Sequence, residues 1–345
     1  MRITISERTF RFRQPAGTSR GVYHTRHSFF VTVADAEGRK GVGECAPLPD
    51  LSCDCLSSHA EYARVLRGFC DMTEQTGTVP AEQLRSYPSM LFGLETAMAQ
   101  WAANGSTMLF DTPFGRGHEG IPINGLVWMG NFGEMMSRLE EKLRLGFRCV
   151  KLKIGAIDFE RELDLVRHIR ERFSPQEVEL RVDANGGFSP EEAMRRLEAL
   201  SRYGIHSIEQ PIRQRQWAEM ARLCRETPLP IALDEELIGI NTLAEKERLL
   251  DTLRPQYFIL KPSLHGGMSG TEEWVRLARA RGIGSWLTSA LESNVGLNAI
   301  AHFCARTYGP GVSMPQGLGT GQLFEDNVPM PLTIENDRLW YSKSS

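Results

Sequence analysis

The chain has no long hydrophobic run. Nowhere in its 345 residues is there anything near the roughly 18 consecutive apolar positions of a membrane span. Its opening, Met1-Arg2-Ile3-Thr4-Ile5-Ser6-Glu7, lacks the uninterrupted apolar stretch of a signal peptide, so the expectation is a cytoplasmic protein. An excess of one charge sign is also lacking. Lys and Arg number 40 against 43 Asp and Glu, a net −3, which gives no electrostatic case for nucleic acid or an anionic membrane. The seven cysteines, at 45, 53, 55, 70, 149, 224 and 304, are scattered and odd in number, and read as reduced thiols. Cys53 and Cys55 form a C-x-C pair, but no second Cys or His pair stands at zinc-ligand spacing. There is no low-complexity stretch. What remains is an ordinary globular composition, 41% hydrophobic and 24% charged, long enough for one large or two moderate domains.

Two patterns divide the chain. Over the first ~115 residues, Thr4 to Phe12, Ser28 to Ala34 and Gly41 to Cys45 read as antiparallel strands, followed by helices at Ser58 to Phe69 and Ser89 to Trp101. This predicts a small α+β domain over 1–115. From Pro122 strands and helices alternate. Eight strands (Ile121 to Leu126, Cys149 to Ile154, Glu179 to Asn185, Ile205 to Pro211, Pro230 to Glu235, Tyr257 to Pro262, Gly284 to Ser289, Gly311 to Gly317) are joined by seven helices. Such alternation demands a parallel sheet. The expected fold class is therefore α/β, a modified TIM barrel of the form (β/α)7β over 120–325, with a final segment, 326–345, returning to the first domain.

The chemistry lies in a ladder of charged strand ends. From Lys153 to Asp183 is 30 residues, to Glu209 another 26, to Asp234 another 25 and to Lys261 another 27, the period of one βα unit, whose catalytic groups sit at strand C-terminal ends. Because residues i and i+2 share a strand face, Lys151 and Lys153 point together, as do Arg181, Asp183 and Asn185. Asp183, Glu209 and Asp234 converge from consecutive strands. Three such carboxylates repel one another unless a cation joins them, and an all-oxygen set favours Mg²⁺. A metal flanked by lysines suits removal of a proton from carbon next to a carboxylate, with a lysine as base. Burial beside other cations is expected to lower that lysine's pKa.

On these residues, K-x-K at 151–153, D-A-N at 183–185, E-Q-P at 209–211, D-E at 234–235 and K-P at 261–262, the chain resembles the enolase superfamily across nearly its whole length, where lysine bases work with Mg²⁺. The resemblance implies an N-terminal capping domain and a barrel. It implies two loops that cover the substrate, one in the stretch 44–55 after Gly41-Val42-Gly43 and one at Pro15 to Val22. It also implies Lys153 and Lys261 as catalytic groups and Asp183, Glu209 and Asp234 as ligands of Mg²⁺, with Mn²⁺ as a substitute.

The branch is indicated by strands seven and eight. No His follows strand seven, unlike mandelate racemase-like members, and no Asp-x-Asp stands on strand eight, unlike dipeptide epimerases. Thr288 to Gly296 and Gly317-Leu318-Gly319-Thr320-Gly321 look most like the o-succinylbenzoate synthase branch, a group of hydro-lyases of menaquinone biosynthesis. That resemblance implies a small carboxylate substrate, with Thr288, Ser289, Gly317 and Gly319 holding its succinyl group. Lys151, Arg181, Asn185 and Glu235 would support it or the metal ligands. A lysine–lysine racemase of N-succinylamino acids, or a related epimerase or cycloisomerase, is the alternative. Glu44 and Asn124 stand open between substrate-loop support and interface hydrogen bonding, and Glu292 between a bond to Lys261 and a helix cap.

Overall fold

The computed structural model describes residues 1–18, 21–128, 130–155 and 158–342, with the backbone alone at 17, 18 and 21. The chain begins with an antiparallel sheet of β1 (Arg2–Thr18), β2 (Gly21–Ala34) and β3 (Lys40–Cys45). Helices α1 (His59–Thr76) and α2 (Pro88–Ala102) cover one face, burying Ile3, Phe29, Val31, Tyr62, Leu66 and Leu94 between them. Glycine sets how closely α2 approaches β3. A Cβ at Gly43 would lie 1.8 Å from the Gly93 carbonyl oxygen, and one at Gly93 would lie 2.2 Å from Cys45 Sγ. The two backbones meet with no room for a methyl group.

After β4 (Ile121–Pro122) comes a parallel sheet of seven strands in chain order. These are β5 (Gly125–Val127), β6 (Cys149–Lys153), β7 (Glu179–Asp183), β8 (Ser207–Glu209), β9 (Ile231–Leu233), β10 (Tyr257–Leu260) and β11 (Gly284–Leu287). Helices α3 (Phe132–Arg144), α4 (Phe159–Arg172), α5 (Pro190–Ser201), α6 (Trp217–Glu226), α7 (Leu243–Leu253), α8 (Gly267–Arg279) and α9 (Asn294–Tyr308) alternate with them. The two-residue strand period sends Val150, Leu152, Leu180, Val182, Ile208 and Leu260 into the layer under the helices and the charged residues to the other face. Capping boxes at Asn131/Glu134 and Thr242/Glu245 start α3 and α7.

Several boundaries differ from the sequence reading. The predicted strand at 121–126 divides, β4 pairing outside the parallel sheet and β5 within it. The predicted strand at 311–317 narrows to Gln316 and Gly317, which bridge to Ile123 on one side and Thr288 on the other. Its bonds run Gln316 N–H to Pro122 O, 2.8 Å, and Gly317 N–H to Leu287 O, 2.8 Å. Pro315 and two further glycines leave little regular strand there. The stretch 15–22 is no open loop but the end of a hairpin, pairing Ala16 with Tyr23 and Thr18 with Gly21 after a register shift; residues 19–20 lie outside the described ones. Residues 324–326 lie along β1, through Phe12↔Phe324 and Glu325 N–H to Arg11 O. The terminal hairpin, β12 (Leu332–Glu335) and β13 (Arg338–Tyr341), adds to β4 rather than to the first sheet; residues 343–345 are not described.

Candidate active site

The register of the parallel strands builds the site. Lys151 pairs with Arg181, Lys153 with Asp183, and Asp183 with Glu209, so the charged ends form a row across three strands. Asp234 follows β9 and Lys261 follows β10. The D-A-N and E-Q-P turns use left-handed backbone at Asn185 (φ 44°) and Gln210 (φ 40°), which lets the chain turn off the sheet immediately after each carboxylate. Gln210 then fixes the next ligand's loop. Its Oε1 accepts from the N–H groups of Asp234 (3.3 Å) and Glu236 (3.1 Å), and its Nε2 donates to Ile212 O at 3.0 Å.

Asp183, Glu209 and Asp234 are all at most 2% exposed, and lysines stand against each. Lys151 Nζ donates to Asp183 Oδ2 (3.0 Å) and Glu209 Oε2 (2.9 Å). Lys153 Nζ donates to Asp183 Oδ2 (2.5 Å) and Asn185 Oδ1 (2.8 Å). Lys261 Nζ donates to Asp234 Oδ2. Asn185 Nδ2 donates in turn to Glu235 Oε1 at 3.0 Å.

Burial raises the Asp183 pKa, but Lys153 and Lys151 outweigh it and hold the carboxyl below its ordinary range. Asp234 is likewise held down by Lys261 and His265 against its burial. Glu209 goes the other way, pushed well up by burial and by the charge of Asp183, and burial raises Glu235 as well. Lys151 and Lys261 both shift upward. Burial does lower each, yet Glu209 and Asp183 around the first, and Asp234 and Glu209 around the second, leave both above the ordinary value.

A hard cation fits this donor set. Glu209 Oε1 and Asp234 Oδ1 are buried and make no hydrogen bond among the described residues, a costly condition for carboxylate oxygens unless a cation takes them. Oxygen donors alone, with lysines close by, suit Mg²⁺ in preference to zinc or copper.

Lys151, Lys153, Asn185, Glu235 and Lys261 line one cavity of about 470 Å³. Thr288, Ser289, Gly317 and Gly319 line it too, with Leu48, Leu51, Arg13 and Tyr23 from the first sheet and its loops. Two expected substrate contacts are already committed. Thr288 Oγ1 donates to Gly317 O at 2.8 Å and the Gly317 N–H is spent on Leu287, so both serve the strand junction. A Cβ at Gly317 would lie 2.1 Å from Thr288 Oγ1. Ser289 Oγ pairs with Thr320 Oγ1 at 2.6 Å.

Arg181 departs from its expected role. It points into the same interior as Asp183 but one layer lower, bonded to Glu179 Oε1 (2.7 Å) and Pro315 O (2.9 Å), and stacked 4.2 Å from the Trp286 ring. It does not line the cavity. Asn124 lines the cavity. Glu44 is an interface residue, accepting from Ser28 Oγ, Ser293 N–H and Oγ, and Gly296 N–H at 2.6–3.0 Å. Glu292 bonds Ser263 Oγ and the Ala290 N–H, 2.6 Å, not Lys261.

Two residues were missed by sequence reasoning. His265 Nδ1 accepts from Lys261 N–H at 2.9 Å, leaving Nε2 4.0 Å from Asp234 Oδ1. Burial drives its pKa to about 3, so it stays neutral and holds the backbone at Lys261. The four-residue spacing from Lys261 was its only trace. Buried Arg26 donates to Pro47 O (2.6 Å), Ala46 O and Leu291 O (3.3 Å), tying the two cavity-lining loops together; nothing in the sequence signals it.

Comparison with known proteins agrees along the chain. Residues 134–343 match the family model Enolase C-terminal domain-like, and 18–101 match MenC, N-terminal domain. An o-succinylbenzoate synthase of Desulfotalea psychrophila is 46% identical over 96% of each chain. The crystal structure of MenC from that organism superposes with a TM-score of 0.84 at 41% identity over 99% of each chain. An o-succinylbenzoate synthase from Thermosynechococcus elongatus, complexed with Mg in its active site, gives 0.73 at 25% identity over 92% of each. No helix among the described residues is long and apolar enough to cross a membrane.

Proposed function

The chain belongs to the enolase superfamily and, within it, to the o-succinylbenzoate synthase family; on that footing we propose that it removes water from 2-succinyl-6-hydroxy-2,4-cyclohexadiene-1-carboxylate to give 2-succinylbenzoate for menaquinone biosynthesis. The observation that carries this reading is the pair Lys153 and Lys261, reaching one cavity from β6 and β10 with three strands and their buried carboxylates between them.

Asp183, Glu209 and Asp234 would hold Mg²⁺, with Mn²⁺ able to replace it. When bound, the cation supplies positive charge to the substrate carboxylate and so acidifies the adjacent C–H. Lys153 takes that proton from the ring carbon bearing the carboxylate. The electron pair moves into the ring, the C–O bond to the ring hydroxyl breaks, and Lys153 returns its proton to the departing oxygen, which leaves as water. Lys261 keeps its proton and places a cation against the oxygen charge that develops. Lys151 bridges two ligands and sets their spacing, while Asn185 and Glu235 orient Lys153. The fold reading that accompanies this is a (β/α)7β barrel over 120–325, with Gln316 and Gly317 as its eighth strand. Residues 1–115 cap it, with 44–55 and the hairpin end near 15–22 covering the substrate.

The test is an absorbance assay on freshly made cyclohexadiene substrate. Wild type turns over with Mg²⁺, and Lys153→Ala and Lys261→Ala each lose about 10³-fold or more in kcat with the fold retained. Retained turnover in Lys153→Ala, or full activity in excess chelator, refutes the assignment. Exchange of the α-proton of N-succinylamino acids in D₂O without dehydration replaces it with a racemase.

A further inference from the structure

One side chain of the first domain reaches across to the barrel and fastens the segment that carries Lys261. Glu95 is half-buried on α2. Its Oε2 accepts from the Met268 N–H at 2.5 Å and its Oε1 from the Ser269 N–H at 3.2 Å, both in the first turn of α8. On the reading that Lys261 acts in the dehydration, we propose that Glu95 is a positioning residue for that lysine, through which the seating of the first domain sets Lys261 against Asp234.

The backbone here has no fastening of its own. Helix α8 lacks a side-chain cap and an acidic residue in its first turn. The Gly267 N–H bonds Pro262 O and the Gly270 N–H bonds Gly266 O, each at 2.8 Å. The two N–H groups between them fall to Glu95, which does the work of an N-cap from another element. Two successive glycines in left-handed conformation, Gly266 (φ 98°) and Gly267 (φ 69°), open the helix, and glycine backbone is the least restricted. The bare Gly267 also admits the carboxylate, since a Cβ there would lie 2.4 Å from Glu95 Oε2. A continuous set of bonds joins this hinge to the lysine. The Gly267 N–H reaches Pro262 O, the Leu264 and His265 N–H groups reach Lys261 O at 2.8 and 2.9 Å, and the Lys261 N–H returns to His265 Nδ1. A shift of the first turn of α8 is thus passed to the backbone of Lys261. Burial raises the Glu95 pKa to about 7 against the bonds from Ser269 and Met268, so the carboxylate is ionised at pH 8.

The test is made on the full chain at pH 8 in saturating Mg²⁺. Glu95→Ala should lower kcat about tenfold or more, the cost of slightly misplacing a reacting group, with KM changed less than about twofold. Glu95→Gln keeps one acceptor oxygen and should fall between, and it is read in place of Glu95→Ala if that variant does not fold. Added to Lys261→Ala, the Glu95 change should cost almost nothing further, because both act through one group, whereas a general loosening of the barrel would multiply the losses. Amide exchange should quicken over 262–270 and not over 205–211. Wild-type kcat in both Glu95 variants beside an inactive Lys261→Ala, or the full loss repeated in the double variant, overturns this inference alone. Turnover retained in Lys261→Ala overturns it together with the role of Lys261.

Discussion

Replacing Lys151 by Met keeps the aliphatic stem and deletes one charge from the most crowded part of the site. The ammonium contacts Asp183 Oδ2 at 3.0 Å and Glu209 Oε2 at 2.9 Å, and neither carboxylate has water to turn to. Removing one partner of such a buried set costs about 3–5 kcal/mol, because the remaining charges lose their compensation. Glu209, already pushed up by burial and by Asp183, can take a proton in response, so the loss should be smaller at pH 6 than at pH 8. A divalent cation on the carboxylates would do the work of the missing ammonium. The variant should therefore lose about 3–5 kcal/mol in chelator but no more than about 1 kcal/mol in saturating Mg²⁺. The thermodynamic cycle then requires Mg²⁺ to bind the variant roughly 100-fold more tightly, since each 1.4 kcal/mol is a factor of ten. Urea unfolding followed by tryptophan fluorescence, with and without Mg²⁺, measures the first quantity and calorimetric titration the second. An equal loss in both conditions with unchanged Mg²⁺ affinity would refute the idea that Lys151 and the cation serve the same carboxylates.

Two further outcomes are expected. His302 is packed between Phe114 and Tyr341, with centroids 5.2 and 4.7 Å away, and neither ring nitrogen has a hydrogen bond among the described residues. Burial lowers its pKa to about 3. A folded pKa below the unfolded value of about 6.5 gives stability that is present above pH 6.5 and lost as pH falls toward 3. His302→Phe removes this titration, so its stability relative to wild type should rise by about 2 kcal/mol between pH 7.5 and pH 5; an unchanged difference in urea midpoints would count against it. Glu44→Ala strands the buried donors of Ser28, Ser293 and Gly296, and should cost about 2–4 kcal/mol and raise KM more than it lowers kcat. A variant with wild-type stability would show that the joint is not held by this carboxylate.

The charged row was legible because strands make it so. A period of two puts Lys151, Lys153, Asp183 and Glu209 on one face while Val150, Leu152 and Val182 face the helices, and the spacing of βα units brings successive strand ends together. Register was less legible. Arg181 has the right parity to face the site but sits a layer down, where Glu179, Pro315 and Trp286 claim it. Local bonding was not legible at all. Thr288 and Gly317 stand at the cavity wall, yet their polar atoms are used in the strand junction. His265 and Arg26 act through backbone atoms that no side-chain pattern announces.

The junction at Gln316 and Gly317 constrains how this enzyme can change. Its few bonds run to Pro122 on one side and Leu287 on the other, and Thr288 and Gly317, which meet there, also line the cavity. A mutation that reshapes the pocket there also loosens the seam, since any side chain at 317 collides with Thr288. Substrate preference at this wall is therefore heritable only in coupled pairs of changes. New specificities should arise first from the cavity-lining segments around Leu48 and Arg13, which can be altered without touching the seam.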